Sequence, residues 1–423
     1  MTPEEVAAAV FSMPTGSSAG LDGIRPLHLR QLISREAAES GRRLLHSLTA
    51  LANVVLAGEV PDCARDALFS ASLCALKKKS GGLRPIAVGS VYRRLPSRIG
   101  ARHLADSLGA ELRPIQLGVG TPLGCEAAVH ATRHYIEASR QSGAPHVLVK
   151  IDVSNAFNTV RRDVFLSRIR ERCPEVYQLA YQAYSAPSPL IIGGQIIASA
   201  SGVQQGDPLG PAAFALAVDS CARAVTAPHN VWYLDDGTIA GPVSTVAADL
   251  ETLSTALASI GLTLNASKCE VAFLGASDSA HHDPAIRAIH SALPEVKETE
   301  LANLSLLGSP LTDGSIAAAG EAASAIVGRL CARLRGLDRH TAVFFLAHHV
   351  SAPRLTYLLR SAPTFKASHV LRATDEMVRS TLEAVSNVVI SPESWKQASL
   401  PVKLGGLGIR SVEALALPCY IAS

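Results

Sequence analysis

Two acidic positions carry the first chemical signal in this sequence. Asp152 closes the run His146-Val147-Leu148-Val149-Lys150-Ile151-Asp152, and Asp235-Asp236-Gly237 follows Val231-Trp232-Tyr233-Leu234. Taken alone, an Asp-Asp-Gly is ordinary turn chemistry. Set side by side at the edge of one sheet, the two sites become something else. Carboxylates brought together in a partly buried place repel unless a cation sits between them. Hard divalent ions with oxygen ligands answer that need, and magnesium keeps waters and takes substrate phosphates for its remaining positions. Two ions about 4 Å apart activate an attacking oxygen and stabilise a leaving one in an in-line displacement.

The elements that must position these acids are legible from pattern. Residues 146–152 read as a buried strand, rich in β-branched side chains and preceded by Gly143 and Pro145. Residues 231–240 read as strand, tight turn, strand. Helices are expected at 90–110, 123–140, 161–172, 211–225 and 244–260, with strand-like character around Gly193-Gly194. Upstream, LFSASLCALKKKSGGLRPIAV reads as two extended segments joined by a basic turn. Residues 1–60 are expected to be helical with a turn at 16–23, and Thr2, Pro3 and Glu5 form a capping-box start. Beyond about residue 310 strand signals fade, and 317–359 reads as two helices of a separate bundle. The order argues for an α+β core, helices on one face of a small antiparallel sheet.

Bulk properties narrow the class. At 423 residues, 48% hydrophobic and 18% charged, the chain is globular and long enough for two to four packed subdomains. Its eight cysteines are scattered without a CxxC pair, which suits small buried hydrophobes better than a zinc site. The expectation is a soluble intracellular protein, in cytoplasm or nucleus. No apolar run looks long enough to span a bilayer, and MTPEEVAAAV is acidic where a secretory leader is basic. The net charge of +3 excludes little, but residues 67–105 hold eight basic side chains and no acidic one, a block able to lie along a phosphate backbone.

These residues also carry a family resemblance. VKIDVSNAFNTV, SGVQQGDPLGP, WYLDDGTIAG and GLTLNASKCEVAFLG, in that order, resemble the palm of reverse transcriptases, most of all those of non-LTR (LINE-type) retrotransposons. AGLDGIRPLHL and GGLRPIAVGSVYRR upstream, and NLSLLGSPL and GGLGIRSVEALALP downstream, extend the likeness to roughly residues 14–420. The resemblance implies an RNA-directed DNA polymerase with the right-hand fold: fingers, palm and helical thumb. It places an N-terminal helical extension at 1–66, fingers with a basic hairpin at 67–146, the palm at 147–310 and a helical thumb at 311–423.

The resemblance also assigns roles. Asp152 and Asp235 match the pair that holds two Mg²⁺ ions (or Mn²⁺), Asp236 the third carboxylate, and the Val153 carbonyl an added oxygen ligand. Phe157 falls where a bulky side chain sits under the sugar of the incoming nucleotide and clashes with a 2′-hydroxyl. Gln205 and Gly206 match the stretch contacting nucleotide and template, Arg84 the arginine that grips the triphosphate, and Lys268 a lysine near the leaving pyrophosphate. Nucleic-acid contacts are expected from Lys77, Lys78, Lys79, Arg93 and Arg94, and from the Leu307-Gly308 turn beside the primer end. The implied partners are an RNA template, a DNA primer and dNTPs, with no membrane. Two departures stand out: Gly210 where many relatives have serine, and no evident endonuclease, CCHC or RNase H residues. An RNA-dependent RNA polymerase shares the palm but carries an acidic residue where Phe157 stands. A silent relic that merely binds nucleic acid is the other alternative.

Overall fold

The computed structural model describes residues 1–77, 81–142, 145–274 and 279–423. Helix dominates at 61%, as an alanine- and leucine-rich composition with few aromatics implies. The chain folds as two compact units, each gathered from separate stretches: 1–122, 149–269 and 283–296 in the first, and 123–148, 270–282 and 297–423 in the second.

The first unit holds the strands that bear the candidate chemistry: β1 (Ala71–Lys77), β2 (Leu83–Gly89), the end of β3 (His146–Ile151), β4 (Ser188–Ile192), β5 (Gln195–Ser199), β6 (His229–Tyr233) and β7 (Asp236–Pro242). β1 and β2 pair antiparallel from Ala71↔Gly89 to Lys77↔Leu83, so the expected hairpin is present; its tip, with Lys78 and Lys79, lies outside the described residues. β4 adds to β1 in parallel and turns back into β5 through Gly193 and Gly194. Both glycines have left-handed φ, 56° and 80°, which suits the primed turns that two-residue hairpins favour. A second hairpin, β6–β7, lies beside β3. The sheets are therefore mixed, with a parallel pair where only antiparallel pairing was expected. At the N-terminus the Thr2–Glu5 capping box forms in both directions, at 2.7 and 3.3 Å. Val6, Val10, Leu48, Ala52, Leu95 and Ile99 bury the helices Pro3–Ser12 and Ala38–Ala57 against the helix Val91–Leu112.

Half of the cysteine expectation holds: Cys173, Cys221, Cys269 and Cys331 are buried, whereas Cys63 and Cys74 are exposed. His229 opens β6 in the buried interior, and burial lowers its pKa to about 4. The neutral imidazole is thus the folded form, so its stabilisation is complete above the unfolded value of 6.5 and is lost as the pH falls toward 4. From pH 7 to pH 5 that loss amounts to about 2 kcal/mol. Chemical denaturation should show it in the wild type and not in His229→Gln; equal pH slopes for the two proteins would remove His229 from this role.

The second unit is mainly helical. Val327, Cys331, Leu346, Leu355, Leu359, Val378 and Leu382 form its core, packing the helix Ile316–Leu334 on Ala352–Ser361 and Ser368–Ser386. Buried Asp375 accepts from the Val412 and Glu413 amides at 2.8 and 3.2 Å and so caps the last helix, Val412–Ile421. One expectation needs correction here: Asp313–Leu334 is long and apolar enough, by length and composition, to cross a membrane. Its buried residues recur at 316, 320, 324, 327, 331 and 334, and Ser324 receives a hydrogen bond from Thr374 at 2.9 Å. That one-sided packing suits a bundle helix.

Candidate active-site groove

In the first unit an open groove of about 920 Å³ runs past Arg84, Asp152, Val153, Phe157, Gln205, Gly206, Asp235, Asp236 and Lys268. Every residue to which the sequence assigned metal or nucleotide chemistry therefore faces one space, although they come from five separate stretches.

Asp152 leaves the end of β3, where the segment that follows the helix Val243–Ser259 fixes its backbone. The Asn265 amide donates to the Asp152 carbonyl at 2.9 Å, and the Ser154 amide donates to Thr263 at 2.9 Å. The same segment carries Lys268, on the short turn Ala266–Lys268. Asp235 stands on the β6–β7 turn after Leu234, whose φ of 56° is uncommon for a branched side chain. Buried Gln116 holds that turn: its Oε1 accepts from the Leu234 amide at 2.7 Å and its Nε2 donates to the Leu234 carbonyl at 3.1 Å. Ile115 and Leu117 add main-chain bonds to Trp232, both 2.7 Å. Gly118 is required nearby, because a Cβ there would come within 2.7 Å of the Leu234 backbone. Sequence reading missed Gln116 altogether.

The acids feel one another. Asp236 keeps solvent access from the groove, yet the protein around it withholds enough water to lift its pKa. Burial acts first, then the charges of Asp235 and Asp152, to raise it to about 6, against the pull of Lys150 and Arg84. Among the described residues no three His, Cys, Asp or Glu side chains close around a metal by themselves. The donor set fits instead an ion that holds two or three carboxylate oxygens and fills its shell with waters and phosphate, the habit of magnesium.

Phe157 is half-buried and stacks on fully buried Phe214, with ring centroids 4.6 Å apart and planes 16° apart. Its carbonyl accepts from the Val203 amide at 2.6 Å, which brings the turn at 203–210 against it. Gly206 (φ 125°) has to be glycine: an added Cβ would lie 2.4 Å from the Ala87 carbonyl of β2. The Gln205 carbonyl in turn accepts from the Ala87 amide at 2.8 Å. The wall made by Gln205 and Gly206 is thus stitched to the strand that bears Arg84.

The remaining expected contacts sit elsewhere. Lys77 is exposed at the end of β1. Arg93 is a correction: it is 3% exposed and paired with Asp207 at 2.7 Å, out of reach of a nucleic acid. Its charge helped to make the basic block, but its neighbours neutralise it. Arg94 is half-buried and donates to the Ser18 carbonyl at 2.8 Å. Leu307 and Gly308 belong to the second unit, as a two-residue turn with φ of 48° and 82° between Ser305–Leu306 and Ser309–Pro310. The Tyr357 hydroxyl donates to the Leu307 carbonyl at 2.8 Å.

Comparison with known proteins gives the family. The family described as reverse transcriptase (RNA-dependent DNA polymerase) matches residues 76–309, more than half of the chain. The chain belongs to this family, and its α+β organisation is of the right-hand polymerase class. It is 24% identical over 431 residues to the retrotransposable element SLACS 132 kDa protein of Trypanosoma brucei gambiense, over 98% of this chain and 34% of that protein. The chain thus spans about a third of the length of this relative, and the likeness to reverse transcriptases of non-LTR retrotransposons stands. Among solved structures, apo telomerase from Candida tropicalis truncated from its C-terminal domain aligns with a TM-score of 0.38 at 12% identity, over 50% of this chain and 51% of that one. Telomerase from Candida albicans with the TWJ fragment of telomeric RNA aligns with a TM-score of 0.44 at 10% identity, over 78% and 56%.

Proposed function

We propose that this chain extends a DNA primer with dNTPs along an RNA template by nucleotidyl transfer assisted by two magnesium ions, which manganese could replace. The observation that carries this reading is the meeting of Asp152, Asp235 and Asp236 in one groove with Arg84, Phe157 and Gln205.

Bound there, the ions would supply Lewis acidity to the attacking and leaving oxygens; the protein supplies position and charge. Asp152 and Asp235 would hold the ions, and the Val153 carbonyl would add an oxygen ligand. Arg84 offers its planar fork to the triphosphate from the exposed start of β2. Phe157 supports the sugar from below, Gln205 and Gly206 flank the base and template, and Lys268 gives a proton to the departing pyrophosphate. Lys77 lies along the duplex backbone, whose A-like shape such a groove reads without a sequence code. The same reading places the protein in the cytoplasm or nucleus, apart from membranes.

The test is extension of a labelled DNA primer annealed to an RNA template by the purified 423-residue chain, with dNTPs and Mg²⁺. Template-dependent extension that EDTA stops is the expected result. Tight binding of the primed template without any extension would identify a silent nucleic-acid-binding relic instead. Equal use of ribonucleotides would point to RNA synthesis.

A further inference from the structure

Behind the Gln205–Gly206 wall lies a polar cluster with no counterpart in the roles above. The Arg93 guanidinium reaches four acceptors at once: Asp207 Oδ2 at 2.7 Å, Gln204 Oε1 at 2.6 Å, the Phe69 carbonyl at 3.1 Å and the Tyr184 hydroxyl at 3.4 Å. Tyr184 donates its own proton to Asp207 Oδ2 at 2.6 Å. Gln204 passes the link on to Ser188 of β4 at 2.9 Å, and Asp207 Oδ1 accepts from the Leu209 amide at 3.0 Å. The rings of Phe69 and Tyr184 lie 5.4 and 5.6 Å from the guanidinium carbon. Arg93, Gln204, Asp207 and Tyr184 are all buried.

Stability does not require such a cluster. A buried ion pair is often matched or bettered by apolar residues of similar volume, because desolvation offsets its attraction. What it does provide is direction: four acceptors fixed on one rigid fork leave the backbone that carries them a single arrangement. Two of the four acceptors, on Gln204 and Asp207, belong to residues 204–209, and the other two, on Phe69 and Tyr184, tie that segment to its neighbours. The outer side of residues 204–209 presents Gln205 and Gly206 to the groove, and the main-chain bond from Ala87 to Gln205 joins it to β2 three residues from Arg84.

We propose that Arg93 is a positioning residue which, by drawing Asp207, Gln204 and Tyr184 onto one guanidinium, sets the depth of the Gln205–Gly206 wall and hence the affinity for the incoming nucleotide. This rests on the polymerase reading of the groove. Lysine at this position reaches one or two acceptors rather than four, and lacks the planar fork. Phenylalanine at 184 keeps the ring and removes only the hydroxyl.

Two readouts test the proposal with Arg93→Lys and, as the gentler variant, Tyr184→Phe. Hydrogen exchange needs no activity: amides at 203–210 should exchange about tenfold faster in Arg93→Lys and severalfold faster in Tyr184→Phe, with the helix Val91–Leu112 unchanged. In primer extension the KM for dNTP should rise about tenfold in Arg93→Lys and severalfold in Tyr184→Phe, while kcat and the Kd for primed template stay within about twofold of wild type. Unchanged exchange at 203–210, with or without a lower Tm, would overturn the positioning role. Faster exchange with an unchanged KM would overturn its link to nucleotide affinity. A wild type that extends nothing would defeat the polymerase reading while leaving the exchange result to judge the positioning role.

Discussion

Asp235→Asn should abolish primer extension, with a loss of at least about 10³-fold in kcat, while leaving the protein as stable as the wild type or more so. The two halves of this expectation have the same cause. Asparagine keeps the shape of the side chain and its place after Leu234, so the Gln116 clamp on the turn is untouched. What disappears is one negative charge from a crowd of three, and charge aimed at a reacting centre is worth roughly 10²–10³ per group when a single preorganised dipole is removed. A full charge that holds an ion stands above that range. For folding, the same charge is a burden: Asp235 is one reason why the pKa of Asp236 stands near 6. Removing it relieves repulsion and should let Asp236 titrate closer to an ordinary carboxylate. A melting curve, a single-turnover extension assay and the titration of Asp236 by NMR check the three parts. Extension equal to wild type would defeat the catalytic assignment outright. Loss of extension with a Tm lowered by many degrees would mean that Asp235 is structural.

How much of this could be read from the chain depends on the range of the interaction involved. The hairpins announce themselves locally. Gly193-Gly194 is the turn between β4 and β5, and Leu234-Asp235 that between β6 and β7. The buried strand that ends at Ile151 is equally local, a run of β-branched residues that stops at an acid. Residues that face the groove were found because their types are chemical and their order matches a family. The helices Pro174–Tyr184 and Ser368–Ser386 passed without notice in the sequence, though each carries a polar residue that organises its unit: Tyr184 in the first, Asp375 in the second.

The basic block shows why charge is a weak guide to position. Lys77 and Arg84 are exposed on the hairpin, as a phosphate contact requires. Arg93, in the same run, is turned inward onto Asp207, which lies 114 residues away. Gln116 reaches the turn at Leu234 over 118 residues. Neither pairing leaves a period or a motif in the sequence, since a buried polar residue is specified by its partner and not by its neighbours. Such groups become visible only when the backbone has brought both ends together. The departure at Gly210 leaves the local bonding intact: Gly210 opens the helix Gly210–Arg223, and its amide donates to the Asp207 carbonyl at 2.9 Å. That bond is made by the main chain, so it does not depend on the side chain found there in relatives.

Phe157→Val should admit ribonucleotides, lowering the preference for dNTP over NTP by about 10–100-fold, or roughly 1.4–2.8 kcal/mol of discrimination. The ring is held by one stack and its backbone by two further contacts. Phe214 stacks beneath it, the Val203 amide grips its carbonyl, and the start of the helix Ala156–Thr159 fixes its direction. A side chain so constrained cannot swing away from a 2′-hydroxyl, and rejection by clash works only when the obstacle is stiff. Valine shortens it by several carbons and leaves Phe214 as the new floor, deeper in the core. The carboxylates and Arg84 are untouched, so dNTP extension itself should fall by less than about tenfold, through the looser fit of the sugar. Phe157→Tyr is the control: it keeps the ring and the stack, and should keep the discrimination. Competition between each dNTP and its NTP on one RNA template, read as the ratio of kcat/KM values, measures the effect. If valine leaves that ratio where it was while tyrosine behaves like wild type, Phe157 is packing for Phe214, and the sugar is selected elsewhere in the groove.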